Sequence, residues 1–87
     1  MSAVQIATWM TQQFKGDYLY QEDVAWQLHK NLNGQATYIN DNGNIAINKD
    51  VLKEFRKLTE GQVVWERGEK AWRKLRKNEA YNGRQQD

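Results

Sequence analysis

No cysteine occurs among the 87 residues of this chain, so its fold has to be held together without disulfide bonds. His29 is the only histidine, so the usual sets of Cys and His that hold structural zinc cannot be assembled. A chain of this length then depends on one apolar core. Four Trp, four Tyr and two Phe supply large buriable side chains, which makes such a core feasible.

Apolar residues recur at helical spacing near the N-terminus, and a capping box precedes them. In this box the side chains of Ser2 and Gln5 satisfy backbone N–H groups at the helix start. The spacing predicts a helix over residues 3–14, closed by Gly16. The aromatic run 18–20 then favours a short strand.

A second helix is predicted after this strand. Glu22 and Asp23 lie in its first turn, where the helix dipole favours anions, and Asn33-Gly34 closes it. Its inward stripe consists of Val24, Ala25, Leu28 and Leu32. Trp26 lies off this stripe, which makes it a candidate exposed anchor for a partner. His29 is interpreted as a packing or surface residue, because no carboxylate or second His is spaced to join it.

Asn42-Gly43 lies between two apolar pairs and is a strong turn signal, which predicts either a hairpin or an ordered loop. The surrounding Asn and Asp residues also invite comparison with a calcium-binding loop. With Gly43 as the central glycine, Tyr38 and Lys49 would occupy the first and last ligand positions. Neither residue supplies the required carboxylate, so an EF-hand is excluded.

A third helix is predicted from Asn48, a good cap, to the terminating run 59–61. Its buried stripe consists of Val51, Leu52, Phe55 and Leu58. Each residue advances about 100° around a helix, so four cations project on the opposite face. These are Lys49, Lys53, Arg56 and Lys57.

A β-hairpin with a basic tip is predicted next. Residues 63–67 are β-prone, and Gly68-Glu69 can form a two-residue turn with Gly at its first central position. That register places Trp65 opposite Trp72. Core packing is the favoured interpretation of both rings, and the alternative is that an exposed Trp65 or Trp72 stacks on nucleic-acid bases. A fourth helix over 69–77 is the competing interpretation, and the hairpin is favoured.

The last ten residues, 78–87, have low apolar content and are predicted to form a flexible polar tail, which leaves 1–77 as one domain. The N-terminus lacks the basic and long apolar regions of a signal peptide. No apolar run approaches the ~20 residues of a membrane span. These features predict a cytoplasmic protein with no membrane partner.

The order helix, strand, helix, connection, helix, hairpin resembles the winged helix-turn-helix arrangement. The resemblance implies an α+β fold with three helices and a C-terminal hairpin. It also implies that the third helix enters the DNA major groove while the hairpin touches adjacent backbone or minor groove. The connection over 33–48 departs from the family, whose turn usually has 3–4 residues.

Four stretches, 19–23, 40–44, 55–59 and 63–69, resemble small bacterial or phage proteins classed as a domain of unknown function. That resemblance implies a prokaryotic or phage context and no activity.

Charge is unevenly distributed along the chain. Residues 1–47 hold two Lys against four acids, a net −2, whereas residues 48–87 hold eleven Lys or Arg against seven acids, a net +4. The candidate nucleic-acid-binding residues are Lys49, Lys53, Arg56, Lys57, Arg67, Lys70, Arg73 and Lys74. Non-catalytic DNA binding through the third helix and hairpin is therefore the leading hypothesis. A protein–protein interaction module that uses exposed aromatic side chains is the alternative.

Catalysis is not expected. Ser2 is the only serine and sits at a helix cap, and His29 has no evident triad partner. The adjacent Glu22 and Asp23 diverge on a helix. The segment from Gly61 to Gly68 lacks the Gly-Lys-Ser/Thr ending of a phosphate loop, and no cofactor or metal is expected.

Overall fold

Three helices and six strands make up the part of the chain that the computed structural model describes, residues 2–76 and 85–86. In chain order they are α1 (Ala3–Thr11), β1 (Tyr18–Tyr20), α2 (Gln21–Asn31), β2 (Thr37–Ile39), β3 (Ile45–Ile47), α3 (Lys49–Thr59), β4 (Val63–Glu66), β5 (Ala71–Lys74) and β6 (Gln85–Gln86). The predicted α+β class and the three helices are confirmed.

The larger sheet has the strand order β1-β5-β4-β6. β5 pairs antiparallel with both β1 and β4, and Trp65 faces Trp72 in the predicted register. The alternative helix over 69–77 is therefore wrong. The hairpin is not the last element, because β6 pairs in parallel with β4. Apart from the backbone of Gln85 and Gln86, the predicted tail over 78–87 lies outside the described residues.

The turn between β4 and β5 differs from the predicted one. The Lys70 N–H donates to the Arg67 carbonyl at 3.3 Å. Positive φ falls on Lys70, at 51°, rather than on Gly68. A turn followed by a left-handed residue is compatible with the right-handed twist of the flanking strands. It can therefore connect β4 and β5 as well as the expected two-residue turn could. The Lys70 carbonyl accepts from the Gln21 N–H at 3.2 Å, which fastens the turn to the start of α2.

β2 and β3 form a separate two-stranded antiparallel sheet. The Asn40 side-chain oxygen accepts the N–H groups of Asn42 and Asn44, each at 3.0 Å, and Gly43 adopts φ 79°. Of the two structures left open by the sequence, the hairpin is confirmed. The asparagine that resembles a calcium ligand instead shapes the turn.

α1 begins with the predicted capping box but ends early. The Gln5 N–H donates to the Ser2 hydroxyl at 3.1 Å, and the Ser2 N–H donates to the Gln5 side-chain oxygen at 2.9 Å. The helix was predicted to reach residue 14 but ends at Thr11. The Gln12 N–H and the Gln13 side chain both donate to the Trp9 carbonyl, at 3.0 and 3.2 Å, and together satisfy this acceptor near the helix end.

The inward stripe of α3 differs from the predicted one at its end. Leu58 was expected to be buried but is 43% exposed, whereas Thr59 is only 4% exposed. The Thr59 hydroxyl donates to the Phe55 carbonyl at 2.8 Å, which satisfies the polar atom that burial removes from water. Asn48 precedes the helix as predicted, but its side chain makes no cap; it donates to the Gln35 carbonyl at 3.1 Å.

Helix α1 packs on α3, and α2 packs on β3. The main buried side chains are Ile6, Met10, Leu19, Val24, Leu28, Ile47, Val51, Phe55 and Trp72. Trp72 connects α3 to the sheet, since its ring meets Phe55 and Trp65 edge-on, with centroid distances of 4.9 and 5.1 Å. The core role predicted for both tryptophans is confirmed, with Trp65 partly buried.

Candidate nucleic-acid interface

The four cations predicted on α3 lie on one exposed helix face. Lys49, Lys53 and Lys57 follow one another at four-residue spacing, about 6 Å apart along the axis, and Arg56 lies beside them. The buried residues Val51, Phe55 and Thr59 occupy the opposite side. Packing of α3 on α1 therefore directs a row of positive charge towards solvent.

Acidic residues on the same helix accompany two of these cations. Arg56 Nε lies 3.6 Å from Glu60 Oε2, and Lys57 Nζ lies 3.4 Å from Glu54 Oε1. Such exposed pairs contribute about 0–1 kcal/mol, so a phosphate can compete for the cation. Within the described residues, Lys49 and Lys53 have no ion-pair partner.

Arg67 and Lys70 are both exposed in the turn between β4 and β5. The hydrogen bond that closes the turn keeps them together, and the bond from Gln21 holds the turn against α2. The structure thus presents a second small basic group at the tip of the hairpin.

Arg73 does not lie on the basic surface. It is only 5% exposed, and its Nε lies 2.6 Å from Glu66 Oε1. One of its terminal nitrogens donates to the Lys74 carbonyl at 3.2 Å. Paired residues share a sheet face, so the register places Arg73 with buried Val64, opposite to the Trp72 face. The alternation of the strand could have indicated this, but the charge alone could not.

Lys74 is exposed and lies over the ring of Phe14, with Nζ 5.2 Å from the ring centroid. This distance suits a cation–π contact. Lys74 also lines an open groove of about 460 Å³. The other lining residues are Thr8, Thr11, Phe14, Leu58, Thr59, Gln62, Val63 and Leu75. Lys74 and the last turn of α3 thus border the same groove.

A separate apolar surface lies on α2 and β2. Trp26 is 57% exposed, which confirms its expected position off the inward stripe, and Ile39 is 59% exposed. The Trp26 ring stacks on His29 at 6.3 Å, and His29 Nδ1 lies 3.3 Å from Thr37 Oγ1. His29 is therefore a packing residue, as interpreted from the sequence. The exposure of Ile39 was missed, because an apolar strand residue usually faces a core.

Two further features can be stated for the described ranges. In residues 2–76 and 85–86, no three His, Asp or Glu side chains converge in a way that could hold a metal ion. Over the same part of the chain, no helix has both the length and the apolar character needed to cross a membrane.

Comparison with known families gives one match. The model of a family described as "Family of unknown function (DUF6953)" matches residues 2–74. The chain belongs to this family. The matched range runs from the α1 cap to the end of β5 and includes every residue of the predicted interface. No curated protein and no solved structure matches this DUF6953 member.

The four stretches noted in the sequence resembled a domain of unknown function, and the family match confirms that part of the prediction. The DUF6953 match carries no activity, no source organism and no winged-helix assignment. Any function for this DUF6953 member therefore has to be argued from its own surfaces.

Proposed function

We propose that this chain is a non-catalytic nucleic-acid-binding domain that contacts the phosphates of a DNA duplex, mainly through α3. The observation that carries the proposal is the row of exposed cations opposite the buried face of α3. Lys/Arg side chains that neutralise phosphates release condensed counterions, which supplies most of the free energy of non-specific binding.

The winged helix-turn-helix interpretation belongs to this proposal. β1 lies between the first two helices in sequence and completes an antiparallel sheet with the β4–β5 hairpin. The β2–β3 hairpin is then an insertion between α2 and α3, which accounts for the long connection over 33–48. In this interpretation α3 is the helix that lies against the duplex, and the turn at 67–70 is the tip of the wing.

The burial of Arg73 reduces the proposed interface to seven cations. These are Lys49, Lys53, Arg56, Lys57, Arg67, Lys70 and Lys74. Among the four cations of α3, Lys49 and Lys53 should contribute most, because neither has an acidic partner among the described residues that a phosphate would have to displace.

Duplex binding measured between about 50 and 200 mM salt tests the proposal. We expect a dissociation constant of about 10⁻⁴–10⁻⁶ M near physiological salt and a steep loss of affinity as salt rises. The double variant Lys49→Gln/Lys53→Gln should bind more weakly, with a slope of log K against log salt that is shallower by about 2.

The matched control is Lys15→Gln/Lys30→Gln, which removes the same charge from two exposed lysines in the acidic half of the chain. It should leave the slope unchanged. No binding at the lowest salt, or equal losses in the two double variants, would contradict an interface on α3.

Protein binding is the second candidate, favoured by the exposure of Trp26. Indole rings are enriched among residues that dominate binding energy, and this one is held by stacking on His29. A photoreactive residue at position 26 should cross-link to a second protein, whereas the same residue at Tyr20, an exposed aromatic on β1, should not. Equal yields from both positions would contradict a specific surface at Trp26.

A further inference from the structure

The outer edge of β2 carries backbone groups of two residues that are not bonded to β3. The Asn40 N–H donates to the Asn44 carbonyl and the Asn48 N–H to the Ala36 carbonyl, each at 2.9 Å. Hydrogen-bonded pairs alternate with non-bonded pairs in an antiparallel ladder. The pair Tyr38–Ala46 therefore carries the bonds between the strands, and the backbone groups of Thr37 and Ile39 point away from β3.

The two outward residues differ in how far they are covered, since Thr37 is 7% exposed and Ile39 is 59% exposed. The Thr37 N–H is directed at the Gly34 carbonyl at a long 3.5 Å. The Thr37 carbonyl and both backbone groups of Ile39 remain on the edge. The end of the edge that is accessible to another strand is therefore the one at Ile39.

β2 has only three residues, but apart from this short length its edge has no charge or proline to prevent strand association. Residues 35–40 read Gln-Ala-Thr-Tyr-Ile-Asn, with no charge and no proline. Natural edge strands are commonly blunted by Lys, Pro or a bulge. An uncharged, apolar edge is therefore suited to accept another strand.

Apolar side chains surround the edge on both faces. Thr37 and Ile39 share one face, because side chains alternate along a strand, and Thr37 contacts His29 on α2. The Trp26 ring stacks on His29, so Trp26 and Ile39 lie on the same side of β2. Tyr38 projects from the other side and is also exposed. We call Trp26, Tyr38 and Ile39 the edge patch.

We propose that the edge patch is the interface of a homodimer, in which β2 pairs antiparallel with β2 of a second copy. A two-fold axis at Tyr38 makes the pairing self-complementary, since the Ile39 N–H of each copy then meets the Thr37 carbonyl of the other. Because the strand is uncharged, no like charges oppose each other across the axis.

The dimer has a four-stranded sheet of order β3-β2-β2-β3. An axis perpendicular to this sheet keeps both α2 helices on one face, so Trp26 and Ile39 of the two copies meet there. The contact is small, so we expect reversible association with a dissociation constant on the order of micromolar. This inference deepens the protein-binding candidate by naming a second copy as the partner, and it is independent of nucleic-acid binding.

Sedimentation velocity between about 1 and 500 µM tests the homodimer. The wild-type chain should shift from monomer to dimer over this range. Ile39→Lys places a charge on the open edge, as natural edge strands do, and should leave the chain monomeric at every concentration. Ile39 is mostly exposed, so the variant should retain the circular dichroism spectrum of the wild type.

The control is Val4→Lys, which places the same charge on an exposed apolar residue of α1 and should dimerise like the wild type. A wild-type chain that stays monomeric at all concentrations, or an Ile39→Lys variant that still dimerises, would overturn the inference. Duplex binding of Ile39→Lys, measured separately, should persist. Loss of duplex binding would contradict the proposal that the nucleic-acid interface lies mainly on α3, whereas the sedimentation result tests only the dimer.

Discussion

Lys70 adopts a left-handed backbone conformation that its residue type does not predict. Its φ of 51° lies in the left-handed region, which costs a residue with a Cβ about 1–2 kcal/mol. Gly68, two positions earlier, is the residue that the sequence offers for positive φ. The hydrogen bonds from Lys70 to Arg67 and from Gln21 to Lys70 hold the strained residue in place.

Lys70→Gly should therefore stabilise the domain. Glycine adopts the left-handed conformation without strain, and part of the gain is offset by its greater freedom in the unfolded chain. We expect an increase of about 0.5–1 kcal/mol in the free energy of unfolding, measured by urea denaturation. Lys70→Ala is the control, because it removes the charge but keeps the Cβ; a gain of the same size there would contradict strain as the cause.

Arg73 shows that the role of a charged residue depends on the face it occupies. Together with Glu66 it forms an ion pair between β5 and β4, in which the Arg73 side chain is 6% exposed and the Glu66 side chain 21%. Breaking one member of a buried pair leaves a charge without its counter-charge.

Glu66→Ala should lower the free energy of unfolding by about 2–3 kcal/mol, since Arg73 then loses the carboxylate that lies 2.6 Å from its Nε. The paired replacement Arg73→Met/Glu66→Leu should recover most of that loss, because it removes both charges of this pair. Thermal denaturation of the three proteins measures the difference. A single variant as stable as the wild type would show that the pair makes no net contribution.

The secondary-structure elements were predictable to the extent that each has its own local signal. The capping box at Ser2, the glycine turn at Asn42-Gly43 and the tryptophan register of the hairpin all depend on neighbouring residues. The features that the sequence did not predict depend on contacts with residues that are distant in the chain. Leu58 is exposed because it borders an open groove, while Thr59 can be buried because its hydroxyl bonds to Phe55. Helical periodicity cannot distinguish these cases.

The same limit applies to the candidate site. The cations of α3 were placed correctly by their spacing, because one helix face can be calculated from sequence. The pairing of β1 with β5 joins residues more than fifty positions apart, and no local pattern encodes it. Arg73 is buried between Tyr18 and Val64; the alternation of the hairpin could indicate the side of Val64, but the cover from Tyr18 depends on the long-range pairing.

Trp72 is the side chain that joins α3 to the sheet, so its removal should affect the whole fold. Trp72→Ala should lower the free energy of unfolding by about 3–5 kcal/mol, a large part of the stability of a small domain. Trp26→Ala, the matched control, should change it by about 0.5 kcal/mol or less, because that ring is mostly exposed. Equal losses in dilute solution would contradict the core position of Trp72.

At the scale of the whole molecule, the two proposed surfaces are built from different parts of the chain. The edge patch lies on α2 and β2 in the half with net charge −2, and the basic face lies on α3 in the half with net charge +4. The two surfaces share no residue, so a dimer joined at the edge patch would not use the cations of α3 for that contact.

Fluorescence quenching tests whether Trp26 is exposed in the monomer and shielded in the dimer. Acrylamide, a neutral quencher, should reach Trp26 in dilute solution but not Trp72, which is 5% exposed. Trp26→Phe should therefore remove the most quenchable part of the emission, and Trp72→Phe should not. Raising the wild-type concentration through the dimer range should protect the Trp26 signal. Protection that also appears in Ile39→Lys would contradict shielding by the second copy.

The pairing of β1 with β5 also determines how late in translation the larger sheet can form. Leu19 faces Trp72 across the two strands, yet 53 residues separate them in the chain. At about 5–20 residues per second, a ribosome delivers Trp72 roughly 3–10 s after Leu19. During that interval β1 has no partner strand, and the first two helices and the β2–β3 hairpin emerge before the sheet can form. The nascent chain therefore exposes the uncharged β2 edge before its fold is complete, and that interval is when mispairing between neighbouring chains has its best opportunity.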